Sequence, residues 1–400
     1  MVQKRFLLIS PDFAPPLVGG GVVWIYNLVQ NCPEEFDVLT ASLPKNQTEM
    51  IGLRPRLIRK NWIATSNNPP RLRLMASYLG MMGWLILQRL LGRYDTVVVN
   101  MCVFGNSLFI LTGKLLGLKV IGVAFAEEIT TPLYGKIWKD RIHYFLLKHI
   151  YKMATGFFSV CDFCRRLLIE VGVSSSVIDV IPPCIDSTRI VRQKKERSPG
   201  YKVLSVGRLI ERKGFHDLVG AVHRLKPDLP QIHLTIVGDG LMKPILEQEI
   251  SRLNLHESVL LAGKAADQEL ADLYQQSDLF VLAHRMLANG DTEGAPTTFC
   301  EASAAGLPVI GGTGGGADTM IEEGVNGYIV DTENIEELSD KIRYLLLHPE
   351  IARAMGEAGR RKVERDHLPA RVGVMLSETL RRLTAEKTVV EQSSKEADAA

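Results

Sequence analysis

Short apolar runs of strand type alternate with longer stretches of helical period along nearly all 400 residues, and this alternation constrains the fold most. Consecutive strands joined through helices need crossover connections, so they run parallel and are covered by helices. In the first half, residues 5–10 (RFLLIS), 95–100 (DTVVVN), 119–125 (KVIGVAF), 157–160 and 178–181 read as strands. Residues 22–28, 108–116 and 136–153 read as helices. A charged stretch without sustained period, residues 188–201 (TRIVRQKKERSPGY), reads as a linker. A second series follows, with strands at 202–206, 232–237, 259–261, 279–282 and 309–310. Its helices fall at 215–225, 242–253, 268–275, 297–305, 338–347 and 351–365, and a last one resumes after Pro369 over 371–383. The chain is too long for one ordinary core and suits two α/β domains. The expected division is a Rossmann-like domain over 1–187, the linker 188–201, a second Rossmann-like domain over 202–366, a helix over 367–386 and a disordered polar tail, 387–400.

Composition narrows the class. Apolar residues make up 46% and charged residues 23%, the balance of a globular protein. The net charge of +2 conceals +8 over residues 1–190 and −6 over residues 191–400. Cys32, Cys102, Cys161, Cys164, Cys184 and Cys300 are too few for a disulfide scaffold, and Cys161-x-x-Cys164 has no second pair at zinc spacing. The run 6–9 is too short for a signal-peptide core, so a cytoplasmic location is expected. The most apolar window, residues 74–87 (LMASYLGMMGWLIL), falls short of a membrane span and follows six arginines and lysines between Arg54 and Arg73. It reads either as a core helix or as a helix on an anionic membrane surface.

Three constellations carry chemistry. In residues 10–21 (SPDFAPPLVGGG) a strand leads through glycines into a helix, a seat for a phosphate, although G-x-G-x-x-G is not met. In residues 206–215 (VGRLIERKGF), Arg208 and Lys213 flank a turn at the carboxyl edge of a parallel sheet, and a guanidinium with an ammonium suits a diphosphate. In residues 293–301 (EGAPTTFCE), Glu293 precedes a helix whose first residue is Pro296, and Glu301 lies inside it. Backbone N–H groups of Thr297 and Thr298 can face a phosphate there, while carboxylates accept hydroxyl pairs of a sugar or a ribose. Asp291-Thr292-Glu293 has the outline of a metal-binding D-x-D, but two cations already stand by, and no metal is expected.

Taken in order, PDFAPPLVGG, SVCDFCRRLLIEVGV, VIPPCID, VGRLIERKGF, IVGDG, YQQSDLFVL, EGAPTTFCEASAAGLPVI and GGGADTMIEEGVNGYIV resemble the family-4 retaining glycosyltransferases of the GT-B fold, over about residues 5–385. The resemblance implies two Rossmann-like domains facing a cleft, acceptor domain first and nucleotide-sugar domain second, with the C-terminal helix crossing back to the first. It implies no cofactor, a UDP- or GDP-sugar donor, and a glycan or lipid-linked acceptor in polysaccharide or glycolipid synthesis. No nucleic-acid partner is expected, while the basic first half and the 74–87 window point to contact with an anionic membrane, at its cytoplasmic face. By resemblance, Gly19 and Gly20 would meet the donor diphosphate, which Arg208 and Lys213 would stabilise as it leaves. Glu293 would hold the donor sugar, with Gly294, Ala295, Thr297 and Thr298 contributing backbone N–H groups. Glu301 would hold the ribose, and Gly263 with Lys264 would lie near the base. Two positions depart from the family. Phe125-Ala126, followed by Glu127-Glu128, stands where a His-Gly pair is frequent, so Glu127 or Glu128 becomes the acceptor-side candidate. Ala295-Pro296 stands where Phe-Gly is frequent. A sugar-nucleotide epimerase or a non-catalytic nucleotide-sugar-binding protein is the alternative reading.

Overall fold

A computed structural model describes residues 5–13, 20–43, 52–65, 70–100, 103–136, 138–185 and 200–385. Gly19, Cys102, residues 188–199 of the expected linker and the tail 387–400 lie outside the described residues. Among the described residues, seven strands form one sheet: β1 (Phe6–Ile9), β2 (Phe36–Ala41), β3 (Arg56–Lys60), β4 (Thr96–Val99), β5 (Lys119–Ala124), β6 (Gly156–Ser159) and β7 (Ile178–Val180). Their order is β3-β2-β1-β4-β5-β6-β7, every pairing parallel. Six more form a second parallel sheet: β8 (Tyr201–Val206), β9 (Ile232–Val237), β10 (Val259–Gly263), β11 (Leu279–Leu282), β12 (Val309–Gly312) and β13 (Gly327–Val330), in the order β10-β9-β8-β11-β12-β13. The helices of the first half are α1 (Gly20–Asn31), α2 (Arg71–Leu90), α3 (Val103–Leu115), α4 (Glu127–Tyr134), α5 (Trp138–Ile150) and α6 (Asp162–Glu170). Those of the second are α7 (Phe215–Leu225), α8 (Lys243–Arg252), α9 (Asp267–Gln276), α10 (Thr297–Ala304), α11 (Ile335–Leu347), α12 (Pro349–Asp366) and α13 (Pro369–Thr384).

Each sheet has its own core, as expected of strands covered on both faces. Three strands escape the apolar-run rule. β2 is buried along its length but holds Asp37, whose carboxylate accepts from Arg5 Nε (2.6 Å), Arg56 Nε (3.0 Å) and the Tyr94 hydroxyl (2.5 Å). β3 is an edge strand of sequence RLIRK, so its charges face outward where a central strand would be apolar. β13 is short and opens on Gly327, where a Cβ would lie 2.0 Å from the Val309 carbonyl oxygen. The helix expected at 22–28 begins earlier, so Gly20 and Gly21 form its first turn instead of a preceding loop. The long helix expected over 136–153 ends at Ile150, with a 3₁₀ turn at Tyr151–Met153.

The chain passes from one core to the other between Cys184 and Ile185. His367 stands at the return crossing: its Nδ1 is 2.7 Å from the Pro183 carbonyl oxygen, and its own carbonyl accepts from the Ile185 N–H at 3.1 Å. Helix α13 then packs on α1, and Val372, Leu376, Leu380 and Leu383 enter the core of the first sheet. Gly373 allows this approach, because a Cβ there would fall 2.2 Å from the Asn31 carbonyl oxygen. Glu34 fastens the contact by accepting from Ser377 Oγ at 2.9 Å and Arg381 Nε at 2.8 Å.

Candidate functional site

In each sheet the first strand is flanked by the second and the fourth, so successive connections leave to opposite sides. Such a switch point opens a crevice at the carboxyl ends of the strands. The two crevices face one another across a cavity of about 700 Å³ lined by both halves of the chain. Gly20, Gly21, Arg59, Phe125 and Glu127 line it from the first sheet; Arg208, Arg212, Lys213 and the 292–298 segment line it from the second.

Glu293 is the centre of the charged cluster. Lys213 Nζ lies 2.9 Å from its Oε2, and Arg212 Nε donates to its Oε1 at 2.6 Å. Arg212 NH1 also donates to Asp291 Oδ1 at 2.6 Å. Burial opposes ionisation of Glu293, but the charges of Lys213 and Arg212, with their hydrogen bonds, win and hold its carboxyl down at about 2. Asp291 and Glu293, the two acids of the D-x-D outline, thus converge on one guanidinium. Beneath them His284 is fully buried, and burial lowers its imidazole to about 4.

Helix α10 starts at Thr297, as expected, and Pro296 is its N-cap and not its first helical residue. Proline fits there because it gives up no needed donor. The N–H groups of Thr297 and Thr298 then open the helix at the cavity, where its dipole favours an anion. Gly20 stands opposite: a Cβ on it would lie 3.6 Å from the Thr297 side chain.

The remaining expected residues are spread more widely. Glu301 does not line the cavity; its Oε2 accepts from the Tyr274 hydroxyl at 2.7 Å, and burial raises its carboxyl above the ordinary value. Gly263 and Lys264 are also outside the lining. Gly263 turns with φ +72° in open space, and Lys264 is 81% exposed with Nζ 3.8 Å from Asp239. Glu127 and Glu128 part company. Glu127 lines the cavity, whereas Glu128 is buried and its Oε1 accepts from the Phe125 N–H at 2.7 Å. Burial pushes the Glu128 carboxyl up to about 7. Its neighbour Ala126 holds a φ of +95°, a strained value for a residue with a Cβ, at the position where the family often has glycine. The Phe125 ring packs edge-on against Trp24 at 5.2 Å.

The halves of the chain touch closely beside this cavity. A Cβ on Gly294 would lie 2.2 Å from the Phe125 carbonyl oxygen. Cys161 Sγ donates to the Gly294 carbonyl at 3.1 Å, and Arg166 pairs with Asp318 at 2.9 Å. Arg212 is the site residue that the sequence reading passed over, although the Arg-Lys doublet of ERKGF, with Asp-x-Glu downstream, held the signal.

Residues 186–362 match the family described as "Glycosyl transferases group 1". A GDP-mannose-dependent alpha-(1-6)-phosphatidylinositol monomannoside mannosyltransferase of Mycolicibacterium smegmatis is 31% identical over 211 residues, which cover 50% of this chain and 55% of the relative. The amylovoran biosynthesis glycosyltransferase AmsK of Erwinia amylovora is 31% identical over 176 residues, 44% of this chain and 43% of the relative. The chain thus spans about half the length of the curated relatives it matches. The crystal structure of Anabaena HepE in complex with UDP superposes with a TM-score of 0.74 at 18% identity, covering 94% of this chain and 99% of that one. The chain therefore has the GT-B architecture of two facing parallel α/β sheets, and the match to the group 1 glycosyl transferases lies in its second half.

Proposed function

We propose that this protein is a retaining hexosyltransferase that moves a sugar from a UDP- or GDP-sugar to a glycan or lipid-linked acceptor, without a cofactor. The observation that carries the reading is the Glu293 carboxylate, clamped by Arg212 and Lys213 beside the α10 N-terminus in a cavity that both halves line. In this reading the diphosphate lies between Gly20 and the α10 N-terminus, with Arg208 and Lys213 neutralising its charge as it leaves. Glu293 accepts hydroxyls of the donor sugar, with Gly294 and Ala295 beside it. Glu301 takes the ribose and the Gly263–Lys264 turn takes the base. The bond between the anomeric carbon and the diphosphate oxygen breaks. The acceptor oxygen bonds that carbon on the same face, and its proton passes to the departing phosphate oxygen. Glu127, the acid that lines the cavity from the first half, orients the acceptor hydroxyl.

The same reading places the acceptor at a membrane, at the cytoplasmic face. No helix among the described residues is long and apolar enough to cross one. Helix α2, however, is apolar on two faces: Tyr78, Met81 and Leu85 are buried, while Leu72, Met75, Leu79, Ile86 and Leu90 form an exposed stripe. Trp138, Ile142 and Phe145 form another on α5, and both helices pack against α3. Arg71, Arg73, Lys139 and Arg141 accompany the stripes, the pattern of a surface that binds anionic lipid.

Calorimetry tests the donor assignment. Glu301→Ala should weaken UDP or GDP and its sugar conjugate alike, because both carry the ribose. Glu293→Ala should weaken only the conjugate. Equal damage by Glu293→Ala to the free nucleotide would refute the two roles.

A further inference from the structure

We propose that Arg212 is a positioning residue: backed by Asp291, its guanidinium fixes the Glu293 carboxylate so that one acceptor site on each oxygen faces two adjacent hydroxyls of the donor sugar. The inference rests on the reading of Glu293 as the sugar-binding acid. The geometry is the ground for it. A carboxylate has about four acceptor sites, two on each oxygen. Arg212 Nε occupies one on Oε1 and Lys213 Nζ one on Oε2. Both cations enter from the turn at Glu211–Lys213, so what remains of the carboxylate's capacity is directed away from that turn. Two anchored oxygens cannot rotate, and two fixed acceptors suit a vicinal diol.

Asp291 gives the guanidinium its own anchor. With Nε on Glu293 and NH1 on Asp291, the planar fork is held by two acids of one loop, an arrangement that a lysine cannot copy. The side chains of Arg212, Lys213 and Glu293 are 12%, 10% and 11% exposed, so the cluster is shielded from water. Lys213 has a second duty toward the diphosphate in the proposed function. Arg212, facing two carboxylates, is the cation dedicated to Glu293. The charged or titratable groups around Glu293 are Arg212 and Lys213 from the turn after β8, Asp291 from its own loop, and His284 from the end of β11. Glu127 of α4 adds its field at Arg212 from the first half of the chain. The carboxyl held at about 2 agrees with this arrangement: Lys213 and Arg212 both act against its burial.

The test has one arm that needs no donor. Carbon NMR of glutamate side-chain carboxyls in the ligand-free protein, with the Glu293 signal assigned through Glu293→Gln, reads its titration directly. The parent signal should stay ionised throughout pH 4–8. In Arg212→Ala, and to a lesser degree in Asp291→Asn, it should titrate at least about one pH unit higher than in the parent, because burial then faces Lys213 alone. Arg212→Lys keeps a charge without the fork and should fall between; it also serves if the alanine variant does not fold. In a second arm, calorimetry with UDP, GDP, UDP-glucose and GDP-mannose should show Arg212→Ala weakening the bound conjugate about 10-fold or more. The matching nucleoside diphosphate should stay within about twofold. Unchanged Glu293 titration in Arg212→Ala overturns the proposal. So does equal weakening of diphosphate and conjugate, which would make Arg212 a phosphate ligand. A parent that binds none of the four compounds would sink the proposed function instead, while the NMR arm still decides whether Arg212 holds Glu293.

Discussion

Glu128 makes the stability of the first half depend on pH in a way one substitution can isolate. Its carboxyl is buried at the start of α4 and accepts the Phe125 N–H, and burial raises it from 4.5 to about 7. A carboxyl raised on folding contributes stability that is whole below the unfolded value and is lost as pH rises through the folded one. Ionising it in the folded chain therefore costs about 3 kcal/mol more than in the unfolded chain. By the same linkage about 1 kcal/mol of this is already lost at pH 5, so roughly 2–3 kcal/mol is lost between pH 5 and 8. Glu128→Gln keeps an oxygen to accept from Phe125 and removes the titration. Buried His284 and His367 are both lowered and act in the opposite sense, losing stability as pH falls, but they are common to both proteins. The difference between variant and parent therefore carries the Glu128 contribution alone. Thermal melts at half-unit intervals from pH 5 to 8 should show the variant gaining on the parent with rising pH, by about 5–10 °C over the range. A constant offset at every pH is compatible with the changed hydrogen bonding of an amide. A difference that varies by less than about 0.5 kcal/mol across the range would refute the buried, raised carboxyl.

Two further outcomes are expected. Gly294→Ala sets a Cβ 2.2 Å from the Phe125 carbonyl oxygen, so the two halves must separate by about an ångström. Turnover of whichever nucleotide sugar the parent uses should fall about 10²-fold, with the melting temperature nearly unchanged; unchanged turnover would show slack at this contact. On the exposed stripe of α2, Leu79→Glu should lower co-sedimentation with phosphatidylglycerol vesicles at low salt, where the parent binds and from which high salt releases it. Equal sedimentation of parent and variant at every salt concentration would remove the membrane assignment.

The legible parts of this fold were those that depend on one segment at a time. β1, β4 and β11 are apolar runs, and burial on both faces makes them so. β2 and β3 were missed because Asp37 and Arg56 satisfy each other only once their strands pair. The same division holds at the site. Glu293 and Lys213 are read from local pattern, whereas Arg212 acquires its role from Asp291, 79 residues further on. Glu127 and Glu128 looked equivalent in the sequence, but adjacent residues on a helix point about 100° apart. One therefore meets the cavity and the other the core.

The position of α13 also sets the order in which the chain can mature. The first half is translated long before Pro369, yet the surface of α1 around Asn31 and Cys32 is closed by Gly373 and its neighbours. At ordinary ribosomal speed, synthesis from Ile185 to Pro369 takes on the order of 10–40 s. Through that interval the nascent first half carries an uncovered apolar flank, while the second half can finish its own sheet. Sealing that flank is a late step, and it locks the two halves together in the same stroke.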